Sequence, residues 1–194
     1  VEVSQASPGL LRRDLLQQAA MKASLAEMSL ARLEGVCAEA AERFLGGALP
    51  VGDELQSPED YVRQTSATTG LPHVLVRRNM AKIHGVLANV GHVVRGLARV
   101  QDTSVLETGE FVPRGDSLGV VLPSNSPGVH ALWVPAFAMK VPLVLKPGSA
   151  EPWTPYRIVQ ALLAAGAPEE AFAYYPAGHE GGAEVLRRTG RGIV

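Results

Sequence analysis

The chain has 194 residues, 46% of them hydrophobic and 19% charged, with a formal net charge of −1. That balance excludes a disordered or solvating polypeptide, and no basic excess supplies the electrostatic footprint of a nucleic-acid binder. No apolar run approaches the roughly 18 residues of a membrane span, and a single cysteine, Cys37, allows no internal disulfide.

The length suggests one domain, or one plus part of a second. The opening VEVSQASPGLLRR carries no signal-peptide pattern, so a cytoplasmic location is expected. Residues 8–48 are rich in Ala, Leu, Glu, Arg and Gln, and Leu25, Met28, Leu33, Val36, Cys37 and Phe44 fall largely on one helical face. Ser57-Pro58-Glu59-Asp60 is a helix start: a hydroxyl cap, proline in the first turn, then acids at the positive end of the dipole. Thr69-Gly70-Leu71-Pro72 closes that helix, and a longer helical pattern runs from about Val74 to Leu97. Residues 101–116 are polar and turn-like, with room for a short hairpin.

From there the pattern becomes strand, turn, helix, repeated. Leu118–Leu122, Val141–Leu145 and Ala171–Tyr175 read as buried strands, and Gly192–Val194 as the start of a fourth. Ser126-Pro127 is expected to cap a helix running to about Lys140, and Thr154-Pro155 one that runs to about Ala165 and stops at Gly166. Gly178–Gly182 reads as a turn into a short helix over Ala183–Arg188. The fold class is therefore α/β: a mainly helical region over residues 1–110, then over 111–194 a parallel sheet of right-handed βαβ units, cut short.

Ligands of such sheets bind beyond the carboxyl ends of the strands. Three loops occupy that edge: Pro123-Ser124-Asn125-Ser126-Pro127, Lys146-Pro147-Gly148-Ser149, and Pro176 through Gly182. They bring an amide, an ammonium group and a glycine-rich backbone to one rim. These loops, in this order and spacing, resemble the cofactor domain of the aldehyde dehydrogenase superfamily. The family motif Pro-Trp-Asn-Phe-Pro is similar to residues 123–127, and its Lys-Pro-Ser-Glu, followed by a proline, to residues 146–149 with Pro152. Its Ala-Gly-Leu-Pro is similar to Ala165-Gly166-Ala167-Pro168, and its next glycine-rich turn to residues 178–182.

The resemblance implies a Rossmann-like NAD(P)-binding fold and specific roles. Asn125 would donate its amide to the substrate carbonyl oxygen, where attack builds negative charge. Read alone, an asparagine between two prolines is as well explained as a turn residue. Lys146 would meet the adenosine ribose, and Leu122, Pro123, Ser124, Pro147, Ser149, Gly178 and Gly182 would line the cofactor site. Ser149 stands where the family has the Glu that holds the ribose diol; a serine would not repel a 2′-phosphate, which tilts NAD or NADP toward NADP. Glu151 remains close enough in sequence to reach the same site. Ser124 and Ser126 replace the family's Trp and Phe, a departure that leaves acyl-CoA or acyl-phosphate reduction open beside aldehyde oxidation. No G-x-G-x-x-G is present; the family lacks it too.

The family's chemistry uses a cysteine thiohemiacetal, and its cysteine and general base lie C-terminal to the resembling segment. The expectation is thus a fragment lacking the catalytic domain, inactive alone, from a homo-oligomeric enzyme acting on a small aldehyde or acyl substrate. A stand-alone, non-catalytic nucleotide-binding module is the alternative, and a flavodoxin-like domain a third. Cys37 is expected in the core, as is Trp133, and Arg77 and Arg78 on a solvated face. The five histidines, His84 and His92 included, show no metal-ligand spacing.

Overall fold

The computed structural model describes residues 3–99, 101–102 and 115–194. The expected hairpin in 101–116 and the boundary at residue 110 fall mostly or wholly outside these. The helical face expected over 8–48 is divided among several helices. Ser7 caps Pro8–Asp14, a 3-10 turn over Leu15–Gln17 leads into Gln18–Ala26, and Ser29 restarts the chain as Leu30–Gly46 by accepting the Arg32 amide. Leu25 and Met28 therefore belong to the elements before Ser29, while Leu33, Val36, Cys37, Ala40 and Phe44 line one buried stripe of the long helix.

Two short strands, β1 Leu49–Val51 and β2 Glu54–Gln56, form an antiparallel hairpin absent from the sequence expectation, with Gly52 supplying the positive φ at its tip. Ser57 caps Pro58–Thr69 as expected, with a reciprocal Asp60 carboxylate completing a capping box, and Gly70 ends the helix in the left-handed region. The single long helix expected next is two, His73–Ala88 and Val90–Ala98. Asn89 separates them: its side-chain amide donates to the Gly85 carbonyl at 2.9 Å, competing with the backbone ladder.

The sheet has four parallel strands in the order β5-β4-β3-β6: β3 Leu118–Val121, β4 Leu143–Lys146, β5 Phe172–Tyr174 and β6 Arg191–Ile193. The expected 126–140 helix is instead a 3-10 segment, Pro127–Leu132, and a short α-helix, Val134–Ala138. Ser126 makes no side-chain cap, and Pro135, without an N–H, suits only the start of the second piece. The next helix is Trp153–Ala164; Thr154 lies inside it, and the capping acceptor is the Glu151 carboxylate. Gly166, at φ +95°, is the left-handed stop that was expected. The last helix begins at His179 with Gly178 as cap, so Gly181 and Gly182 are buried helical residues and not a turn.

One apolar core runs from Leu25 through Phe44, Tyr61 and Ile83 to Val120, Phe137, Leu145 and Leu162, joining the N-terminal helices to one face of the sheet. On the other face Leu11, Leu15, Val144, Ala177 and Val185 form a smaller cluster beneath the first helix. There Arg12 and Arg187 hold the Glu184 carboxylate at 3.0 and 2.9 Å and draw it down to about 2, fastening the N-terminal helix to the last one. No helix of the described residues is long and apolar enough to cross a membrane.

Candidate functional site

The first three strands progress to one side, β3 then β4 then β5, and β6 returns to the other side of β3. The order reverses between β3 and β6, and open α/β sheets offer their ligand crevice at that switch point. An apolar cleft of about 310 Å³ lies there, walled by Val121, Leu122, Pro123, Trp133 and Ile193. Leu122 and Pro123 thus face the switch-point cleft, and Trp133, expected in the core, is buried with part of its ring forming the cleft wall.

Beside the cleft the loops after β3 and β4 touch. Leu122 N donates to the Lys146 carbonyl at 2.9 Å, Ala150 N donates to Ser124 Oγ at 3.3 Å, and the Ser124 and Ser149 hydroxyls are 3.4 Å apart. Gly148 makes the approach possible: a methyl group there would lie 2.4 Å from the Pro123 carbonyl oxygen and 2.7 Å from Ser124 Cα. Ser124 and Ser149 are therefore brought together, with Pro147 buried between the loops' ends. Asn125 is exposed at the crest of its loop.

Lys146 ends β4 opposite Val121, its stem half-buried. Burial alone pushes its ammonium below the ordinary lysine range, no neighbouring carboxylate offsetting it. Gly182 packs over the same spot: a methyl on it would stand 3.5 Å from Val121 and 4.0 Å from the Lys146 stem. Gly178 lies at the exposed N-terminal cap of its helix with open space around its Cα, where free backbone N–H groups favour an anion.

Glu151 does not reach this rim. Its side chain is wholly buried, facing His130 and Thr154, so the 146–151 loop presents hydroxyl and ammonium groups outward and keeps its one carboxylate inside. Gly148 and the His130–Glu151 contact are site features the sequence reading missed. Gly148 carried a signal, a glycine directly after the proline that ends a strand loop; His130 and Glu151, 21 positions apart, carried none.

Cys37 is fully buried, and burial raises its thiol to about 12. A thiol held protonated is no nucleophile. Cys37 is expected to resist iodoacetamide in the native protein and to react once urea unfolds it; native-state labelling would contradict this placement. Among the described residues no His, Cys, Asp or Glu cluster suits a metal ion.

No family model and no curated relative matches the chain. Solved structures do. An NAD-dependent benzaldehyde dehydrogenase from Corynebacterium glutamicum superposes with a TM-score of 0.72 at 17% identity, over 96% of this chain and 40% of that one. Succinate-semialdehyde dehydrogenase from Burkholderia pseudomallei gives 0.71 at 12% identity, over 95% and 37%. Glyceraldehyde-3-phosphate dehydrogenase from Methanocaldococcus jannaschii, solved with NADP, gives 0.67 at 13% identity, over 95% and 40%. The chain spans about two-fifths of the length of these enzymes. At such low identities what is shared is the backbone architecture: this chain has the fold of part of an aldehyde dehydrogenase.

Proposed function

We propose that this chain is the nucleotide-binding part of an NAD(P)-dependent oxidoreductase acting on an aldehyde, with the thiohemiacetal-forming cysteine contributed by sequence outside it. The observation that carries this reading is the closed contact of the 123–127 and 146–149 loops at the switch point, with Asn125 and Lys146 on one rim. The groups present suit a dinucleotide. Lys146 and Ser149 offer donors to ribose hydroxyls or a phosphate, and Gly178 opens a helix N-terminus toward a pyrophosphate. With Glu151 turned inside, no carboxylate of this loop faces a 2′-phosphate, which supports NADP as cofactor. Bound there, the nicotinamide supplies the hydride acceptor. Asn125, exposed and preorganised by prolines on both sides of its loop, supplies the amide donor for a developing oxyanion.

The test is titration of NADPH and NADH into the full-length protein that contains this chain, followed by nicotinamide fluorescence. Lys146→Ala is expected to weaken binding about tenfold, the loss of one or two charge-assisted hydrogen bonds. Saturable binding that the substitution leaves unchanged removes Lys146 from the site. No binding at all replaces the enzyme reading with that of a non-catalytic module.

A further inference from the structure

Behind the rim, a chain of buried polar side chains joins the same two loops from inside. His130 belongs to the 3-10 segment that follows Asn125, and Glu151 lies two residues past Ser149. Both side chains are wholly inaccessible, and His130 Nε2 is 2.6 Å from Glu151 Oε2. The Trp133 indole N–H, a donor only, points at His130 Nδ1 from 3.4 Å. Nδ1 is therefore the accepting nitrogen, and Nε2 carries the proton donated to Glu151. The other carboxylate oxygen accepts from Thr154 N at 2.9 Å and Thr154 Oγ1 at 2.6 Å. With its proton committed to Glu151, the Thr154 hydroxyl accepts from the Tyr61 phenol at 2.6 Å. Three donors, His130 Nε2, Thr154 N and Thr154 Oγ1, end on one carboxylate, and Trp133 and Tyr61 donate to its partners.

We propose that the His130–Glu151 pair is a positioning element that sets the spacing between the loop carrying Asn125 and the loop carrying Lys146 and Ser149. The inference rests on the cofactor role of Lys146 given above. Leu122 N donates to the Lys146 carbonyl at 2.9 Å where the two loops leave the sheet, but beyond that point the outer contacts are long, a part-buried one at 3.3 Å and an exposed one at 3.4 Å, and Gly148 permits close approach without enforcing it. Beyond the sheet edge the inner pair is the short, dry and directional tie between the loops. Stability alone does not call for such a tie, since apolar side chains of similar volume serve a buried site as well or better. A hydrogen-bonded pair adds a defined distance and direction.

In the full-length protein, His130→Leu is expected to weaken NADPH and NADH binding about tenfold, the equivalent of one or two displaced hydrogen bonds to the cofactor. His130→Gln, which keeps a donor nitrogen at similar reach, is expected to restore affinity to within about threefold. A folded His130→Leu protein with wild-type affinity and only a lowered Tm overturns the proposal, as does a glutamine variant no better than leucine. Should the leucine variant not fold, Thr154→Val removes one donor to Glu151 at constant volume; a loss of about threefold in affinity supports the proposal and an unchanged affinity overturns it. Lys146→Ala separates the two layers. If it leaves cofactor binding unchanged, the cofactor role of Lys146 fails and this inference with it; if it weakens binding while folded His130→Leu does not, only the positioning role fails.

Discussion

Gly148→Ala is expected to destabilise the protein by about 1–3 kcal/mol, the usual cost of overpacking, and to weaken NADPH binding with it. The added methyl would meet the Pro123 carbonyl oxygen at 2.4 Å, its carbon at 2.6 Å and Ser124 Cα at 2.7 Å. All three are main-chain atoms, so no rotamer change relieves the clash; the loops must part. Parting them breaks the Ser124–Ser149 and Ser124–Ala150 contacts and displaces Lys146 relative to Asn125. Gly178→Ser is the control for stability, because a Cβ at that position meets nothing within 4 Å and serine keeps the N-cap preference. Urea denaturation of the two variants checks the contrast. Equal midpoints would show that the loops are not in the contact described here.

The second large effect is expected at Arg157. Its guanidinium is buried in the core and donates to the carbonyls of Phe44 at 3.0 Å, Gln56 at 3.1 Å and Gly47 at 2.6 Å. It also lies over the rings of Phe44 and Tyr61, at 5.8 and 5.5 Å from their centroids. One side chain thus ties the end of the 30–46 helix to the β1–β2 hairpin and to the 153–164 helix. Burial lowers its pKa only to about 10, so it stays charged at neutral pH. Arg157→Leu would remove a charged donor from three carbonyls and is expected to cost about 3–5 kcal/mol. Arg157→Lys is expected to recover little, because an ammonium cannot span three acceptors set for a planar fork. A leucine variant within about 1 kcal/mol of wild type in urea denaturation would contradict this account.

Arg157 also shows where sequence reading reaches its limit. Local chemistry was legible: the Ser57 cap, the Gly70 and Gly166 stops and all four parallel strands follow from patterns within a few residues. So did the rim loops, whose residue types stand at strand ends. Elements decided by distant partners were not legible. The 49–56 hairpin is held by Arg157, 101 positions beyond Gln56, and nothing in LPVGDELQ signals that support. Ser126-Pro127 predicts one helix over 126–140; Pro135 and the buried tie of His130 to Glu151 go with a chain in two pieces. Thr154 was read as a cap, yet the backbone found a stronger acceptor three residues earlier in Glu151. That exchange keeps inside the carboxylate that lies close enough in sequence to reach the rim.

The central claim is that the three loops at the carboxyl ends of β3, β4 and β5 hold a nicotinamide cofactor. Hydrogen–deuterium exchange of the full-length protein, with and without saturating NADPH, tests it most directly. Slowed exchange is expected in residues 122–127, 146–150 and 176–182, with the hairpin at 49–56 unchanged. Protection confined to other segments, or none at any concentration, would contradict it.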